Sequence, residues 1–187
     1  PIKTLVLTGG EVWEHPTTSV VALINGLLDR GFFVTVETSG TGHEGFNPAG
    51  LKGLIPSTPN LLWSIAPKLS SSRARKQHTD LTPWLTLGHS LQVKIVTGDI
   101  QTDHDEIVDY LNQFDLSGPQ VMGVYLQTMT AYKPKAPVGD VRNQICNLTV
   151  DFQDWLTEVT SPLLQQPKFR VLPQVHAMQR QPDSRNQ

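Results

Sequence analysis

Thr8-Gly9-Gly10-Glu11 is the first group in the chain with residue types suited to chemistry. Two adjacent glycines let the backbone approach a ligand closely and leave amide and carbonyl groups free for it. A carboxylate beside them can hold an ammonium group. The same four residues also read as a plain strand-to-loop turn, and the tetrapeptide alone leaves both readings open. Lys68 follows Ile65-Ala66-Pro67. The proline fixes the exit angle there, and the ammonium either faces a site or is simply solvated. His176 follows the last apolar run. It is either a donor to an anionic or carbonyl ligand group or a partly buried polar residue.

Other constellations lack the context their chemistry needs. Gly40-Thr41-Gly42-His43-Glu44-Gly45 formally matches a dinucleotide fingerprint. That reading requires a helix to open at the glycines, and Asn47-Pro48-Ala49-Gly50 and Gly53 oppose one. The histidines are His15, His43, His78, His89, His104 and His176, with no pair at metal-ligand spacing. His104 lies in an acidic helix start and reads as part of a cap. Arg73, Arg75 and Lys76 read as a solvated loop, or as a lid over an anionic ligand. Asn147-Leu148-Thr149 matches a glycosylation acceptor in form only. The single cysteine, Cys146, excludes an internal disulfide, a multi-thiolate zinc site and a self-contained iron–sulfur cluster.

The composition narrows the partners. The chain has 187 residues, a net charge of −2 and 17% charged residues, against about 25% in an average soluble protein. No basic run is present to track phosphates, so a nucleic-acid partner is not expected. No apolar run is long enough for a membrane span, and no leader pattern opens the sequence, which points to the cytoplasm. Length gives one domain over residues 1–178, with a polar tail over 179–187 read as disordered.

The elements that must position these residues are strands and helices in alternation. Apolar, β-prone runs lie at Thr4–Leu7, Phe33–Val36, Leu61–Ala66, Leu91–Val96 and Val121–Leu126, with a weaker one at Phe169–Leu172. Their spacing of about 30 residues is that of a β-crossover unit. A helix after Pro16, capped by Thr17 or Thr18, presents Val20, Val21, Ile24, Leu27 and Leu28 and stops at Gly31. Asp103 and Glu106 resemble a capping pair ahead of Ile107, Val108, Leu111 and Phe114. A third stripe is Phe152, Trp155, Leu156 and Val159. The connections at 40–60 and 68–90 carry no helical pattern, and such long loops are commonly functional or mobile. Thr8–Glu11, Glu37–Thr41, Pro67–Lys68, Thr97–Gly98, Gln127–Thr128 and Gln174–His176 each follow a run. In a parallel α/β sheet they converge on the rim where ligands bind.

Taken in order, several segments resemble a known family. Leu5-Val6-Leu7-Thr8-Gly9-Gly10-Glu11, Val34-Thr35-Val36-Glu37-Thr38-Ser39-Gly40-Thr41, Trp63-Ser64-Ile65-Ala66-Pro67-Lys68, Leu126-Gln127 and Gln174-Val175-His176 look like the radical S-adenosylmethionine enzymes that make 7-carboxy-7-deazaguanine. The resemblance runs from about residue 4 to residue 177. It implies an α/β fold, a partial (β/α) barrel with few helices and its first strand missing from this stretch. It implies S-adenosylmethionine, a [4Fe–4S] cluster and Mg2+ as cofactors. The cofactor yields a 5′-deoxyadenosyl radical, which takes hydrogen from 6-carboxy-5,6,7,8-tetrahydropterin. Ring contraction and loss of ammonia follow, so the activity is that of a carbon–nitrogen lyase in queuosine biosynthesis.

By the same resemblance, Gly9, Gly10 and Glu11 contact the cofactor's methionyl amino group. Ala66, Pro67, Lys68 and Gln127 contact the cofactor's adenosyl or methionyl parts, and Thr8 and His176 face the pterin. The cluster cysteines and the magnesium ligand are expected upstream of Pro1, with no catalytic or metal-binding residue inside these 187 and no turnover by them alone. An electron donor such as flavodoxin or ferredoxin and a homodimer are the implied partners. Departures from the family pattern fall at Val12, Ala66, Thr128 and Ala177 and mark a divergent branch. Another radical S-adenosylmethionine enzyme, such as a glycyl-radical activase, and a cluster-less ligand-binding derivative are the alternatives.

Overall fold

The computed structural model of the chain describes residues 3–72, 74, 78–97, 100–128, 147, 149, 150, 154 and 168–172. Six strands form one sheet: β1 (Lys3–Leu7), β2 (Phe32–Thr38), β3 (Leu61–Ile65), β4 (Ser90–Thr97), β5 (Val121–Thr128) and β6 (Phe169–Leu172). They lie in chain order, every neighbouring pair parallel. Each crossover therefore steps the same way. Right-handed crossovers in one direction place all connections on one face and leave the other as a concave inner face. The order never reverses, so there is no switch-point crevice of the doubly wound kind. With β1 and β6 as its edges, the sheet is a partial barrel.

Alternation along the strands separates the faces. Val34, Val36, Trp63, Ile65, Leu91, Val93, Ile95, Val124 and Leu126 point outward into the core. The α1 helix (Thr17–Leu28) lays Val20 and Ile24 on it, with Val21, Leu27 and Leu28 half-buried alongside. The expected threonine cap is absent. Pro16 occupies the cap position without a side-chain bond, and the Thr17 hydroxyl lies 3.2 Å from His43 Nε2 instead.

The α2 helix (Thr82–Leu85) is a single turn. The α3 helix (Ile100–Leu111) begins before the expected Asp103–Glu106 capping pair, so both carboxylates lie within it. His104 is likewise inside the helix, beside Asp105 at 2.6 Å, and does not belong to a cap. The stripe at 152–159 and the tail at 179–187 lie outside the described residues.

The connections at 40–60 and 68–90 are not free of helix as expected: a 3-10 turn in the first and α2 in the second each open at a proline, Pro48 and Pro83. Phe46 and Trp84 from these connections join Trp13 and Trp63 in an aromatic slab on the outer face of the sheet. Trp13 stacks on Phe46 with ring centres 4.7 Å apart, and Trp63 meets Trp84 edge-on at 5.3 Å. All three tryptophans are fully buried. Leu51, at the end of the 3-10 turn Pro48–Leu51, and Ile55 join the same core. Gly42 belongs to this packing, because a Cβ there would lie 2.7 Å from Trp13 Cβ.

The Trp63 indole donates to His89 Nδ1 at 2.9 Å. Burial pushes the His89 ring below the ordinary histidine value, and its bond to the Ile55 backbone only partly opposes this. The ring is therefore a neutral structural link, not an acid–base group. The indole N–H groups of Trp13 and Trp84 have no described partner, a cost that the surrounding aromatic contacts offset.

Candidate functional site

Strand register places the inner-face residues in rows near the carboxyl ends. One row runs Glu37, Ser64, Gln92, Gly123 across β2 to β5. The next runs Lys94, Tyr125, Arg170 across β4 to β6. The third carries Val96, Gln127 and Leu172. These positions alternate with core residues whose side chains are buried. A polar row inside a sheet does little for stability, since each group must be re-satisfied after leaving water.

The re-satisfaction is specific. The Thr8 hydroxyl donates to Glu37 Oε2 at 2.7 Å. The Lys94 ammonium donates to Glu37 Oε1 at 3.3 Å. Because β3 lies between them, this pair reaches across Ser64, whose small side chain leaves the path open. Gln92 Nε2 donates to the Ser64 hydroxyl at 2.9 Å. Glu37 and Lys94 keep 39% and 22% of their side-chain exposure, so the pair lies at an open mouth and not in a sealed core.

Two carboxylate clasps hold the loops that frame this mouth. Glu11 accepts from Thr38 Oγ1 at 2.5 Å, Ser39 N at 2.7 Å, Ser39 Oγ at 2.5 Å and Trp13 N at 3.4 Å. Both its oxygens thus tie the β1 exit to the β2 exit. On the other side, Glu106 accepts from Ser70 N at 2.6 Å and Ser70 Oγ at 2.5 Å, and contacts the His78 ring. Asp103, one turn earlier, accepts from Ser71 at 3.0 Å and from Thr97 Oγ1.

Burial alone would raise the Glu106 carboxyl. The Ser70 and His78 hydrogen bonds outweigh it and hold the group below the usual carboxylate range. Gly40 joins the two clasps. Its φ of +82° suits glycine, and a Cβ there would stand 2.4 Å from Thr79 Cγ2. Thr79 donates to the Ser39 carbonyl at 2.6 Å, and Tyr110 Oη donates to the Thr79 carbonyl at 2.6 Å.

Of the site residues expected from sequence, Thr8–Glu11, Ala66–Lys68 and Gln127 stand at the carboxyl ends of their strands. Gly9 and Gly10 have φ of +96° and +65°, and a Cβ on either would meet nothing within 4 Å. Their glycine requirement is conformational, and the backbone they expose borders open space. Ala66 N donates to the Thr38 carbonyl at 2.7 Å, joining the exits of β3 and β2. Pro67 is buried and Lys68 half-buried, with the Lys68 carbonyl accepting from His78 N at 3.0 Å. Gln127 lies half-buried on the inner face. His176 lies outside the described residues.

Glu37 stands in one of the rim segments expected from sequence, whereas Lys94 and Tyr125 do not. The available signal for Lys94 is a single charge between the apolar neighbours Val93 and Ile95 of a strand.

The bend at Gly9 and Gly10 leaves backbone beside open space that a ligand could approach. An iron–sulfur cluster does not fit these residues. It needs three or four thiolates, and the 187 residues contain one cysteine. Among the described residues, no cluster of three or more His, Cys, Asp or Glu could hold a metal. No helix among them is long and apolar enough to cross a membrane.

No family model matches the chain, and no curated protein matches it. Among solved structures it is similar in fold to the crystal structure of QueE from Escherichia coli, with a TM-score of 0.50 and 20% identity. The similarity covers 91% of this chain and 57% of that chain, so these residues span little more than half the length of the protein they match.

Proposed function

We propose that these residues form the sheet and rim of a radical S-adenosylmethionine enzyme of the 7-carboxy-7-deazaguanine synthase type. Its substrate would be 6-carboxy-5,6,7,8-tetrahydropterin, with queuosine as the pathway product. One observation carries the reading. Thr8–Glu11, the Glu37 segment, Ala66–Lys68 and Gln127 stand at the carboxyl ends of β1, β2, β3 and β5 in one sequential parallel sheet. That is the order in which the family resemblance requires them.

In this reading the Gly9–Gly10 bend receives the methionyl end of the cofactor. Ala66, Pro67, Lys68 and Gln127 border its adenosyl or methionyl parts, and Thr8 and His176 border the pterin. Glu11 keeps the bend in place through its bonds to Thr38 and Ser39. S-adenosylmethionine bound at a [4Fe–4S] cluster supplies an organic radical able to take hydrogen from carbon. These 187 residues position and shield, and the cluster and Mg2+ ligands come from elsewhere in the protein. A flavodoxin or ferredoxin donor and a homodimer complete the proposal.

The test is an anaerobic assay of the full-length protein with reductant, S-adenosylmethionine and the pterin. Formation of 5′-deoxyadenosine together with 7-carboxy-7-deazaguanine is expected. Deoxyadenosine without the deazaguanine would move the assignment to another radical enzyme, such as a glycyl-radical activase. A second reading, a cluster-less ligand-binding protein, is favoured by the full engagement of both Glu11 oxygens by the chain's own donors. It expects cofactor binding with neither product.

A further inference from the structure

The row Lys94, Tyr125, Arg170 carries a cation on each of the two strands that flank Tyr125. Phe169 and Val171, on either side of Arg170, belong to the core or pack against it, which puts Arg170 on the opposite, inner face. Arg170 is exposed, and among the described residues no acid pairs with it.

Lys94 has one described acid partner, Glu37. An ammonium has three donors, so that bond leaves others to spend. Tyr125 does not stand between the two cations. Its ring lies back along the strand over Gly123, where a Cβ would fall 2.7 Å from the Tyr125 hydroxyl and ring. The glycine lets the phenol lie back, so the ring does not fill the gap between Lys94 and Arg170. Register places Lys94 one residue past the Ile65–Val93 pair, level with Ala66 of the rim. The chain as a whole is slightly acidic, so this local pair of cations is not a reflection of its average charge.

We propose that Lys94 and Arg170, on the two strands that flank β5 at Tyr125, form a carboxylate-binding subsite at the inner edge of the mouth. Its occupant is the acid group of a small ligand lying across the rim. A guanidinium offers paired donors suited to a carboxylate, and the ammonium adds a point charge held in place by Glu37. The identity of that ligand rests on the reading above, which supplies two carboxylates, one on the methionyl end of S-adenosylmethionine and one on the pterin.

Calorimetric titration of the protein with matched probes separates the sources. S-adenosylmethionine is compared with its decarboxylated analogue, and 6-carboxypterin with pterin. The acid-bearing member of at least one pair is expected to bind on the order of tenfold more tightly. Arg170→Gln and Lys94→Met should abolish that preference while leaving the acid-less member unchanged, and Lys94→Arg should largely restore it. The unchanged affinity of the acid-less member guards against a variant that has merely misfolded.

Binding without any preference for the acid overturns the subsite and leaves the enzyme reading standing. A preference that survives Arg170→Gln also overturns it. Failure of all four probes to bind counts against both.

Discussion

The two sides of β3 are one residue apart and opposite in character. Trp63 points outward into a slab with Trp13, Phe46 and Trp84, dry enough to leave two indole N–H groups without described partners. Ser64 points inward to a face where polar side chains answer one another: Thr8 to Glu37, Lys94 to Glu37, Gln92 to Ser64. Both residues are fully buried. The slab tolerates unmet polar atoms because contact area holds it together. The inner face spends residues on charge and hydrogen bonding that contribute little to folding. Stability therefore belongs to the outer side, and the proposed recognition to the inner side and its rim.

Substitutions on the two sides should separate accordingly. Trp63→Ala removes a fully buried ring and the donor to His89, and is expected to cost about 3–5 kcal/mol in urea unfolding. A loss below ~1 kcal/mol would mean that the slab does not carry the fold. Glu11→Ala cuts four bonds, three of them joining two strand exits, and should cost roughly 2 kcal/mol. It should also hasten proteolytic cleavage between residues 39 and 46.

A smaller effect is expected from pH. The folded state holds the buried His89 ring below its unfolded value near 6.5, so the unfolded state takes up its proton first as the solution is acidified. Stability is full above that value and declines as pH falls towards the lowered folded-state value. His89→Gln should flatten this part of the urea-midpoint profile. Glu37→Gln marks the other extreme. Its half-exposed ion pair is worth no more than about 1 kcal/mol, so the unfolding midpoint should barely move while ligand affinity falls. A large stability loss there would erase the distinction between the faces.

Much of the scaffold is legible in the sequence for a physical reason. The strands are apolar runs at crossover spacing, and their polar exits identify the rim before any coordinates exist. The clasps and the inner rows are not legible, because they depend on register. Glu37 and Lys94 are 57 residues apart and meet only when β2, β3 and β4 pair as they do.

The slab hides for a related reason. Glycines and prolines in 40–60 exclude a helix, but nothing local reveals that Phe46 will stack on Trp13 or that Trp84 will meet Trp63. The Asp103–Glu106 spacing imitates a cap. The same one-turn spacing serves instead to grip Ser70, Ser71 and Thr97 from the side of α3.

The central claim is that the rim at the strand exits is a cofactor site. Amide and indole 15N spectra of the protein titrated with S-adenosylmethionine test it most directly. The expected result is saturable shifts at Gly9, Gly10, Ala66, Lys68 and Gln127, with the indoles of Trp13, Trp63 and Trp84 unmoved. Absence of shifts at the rim, or shifts confined to the slab indoles, would contradict it.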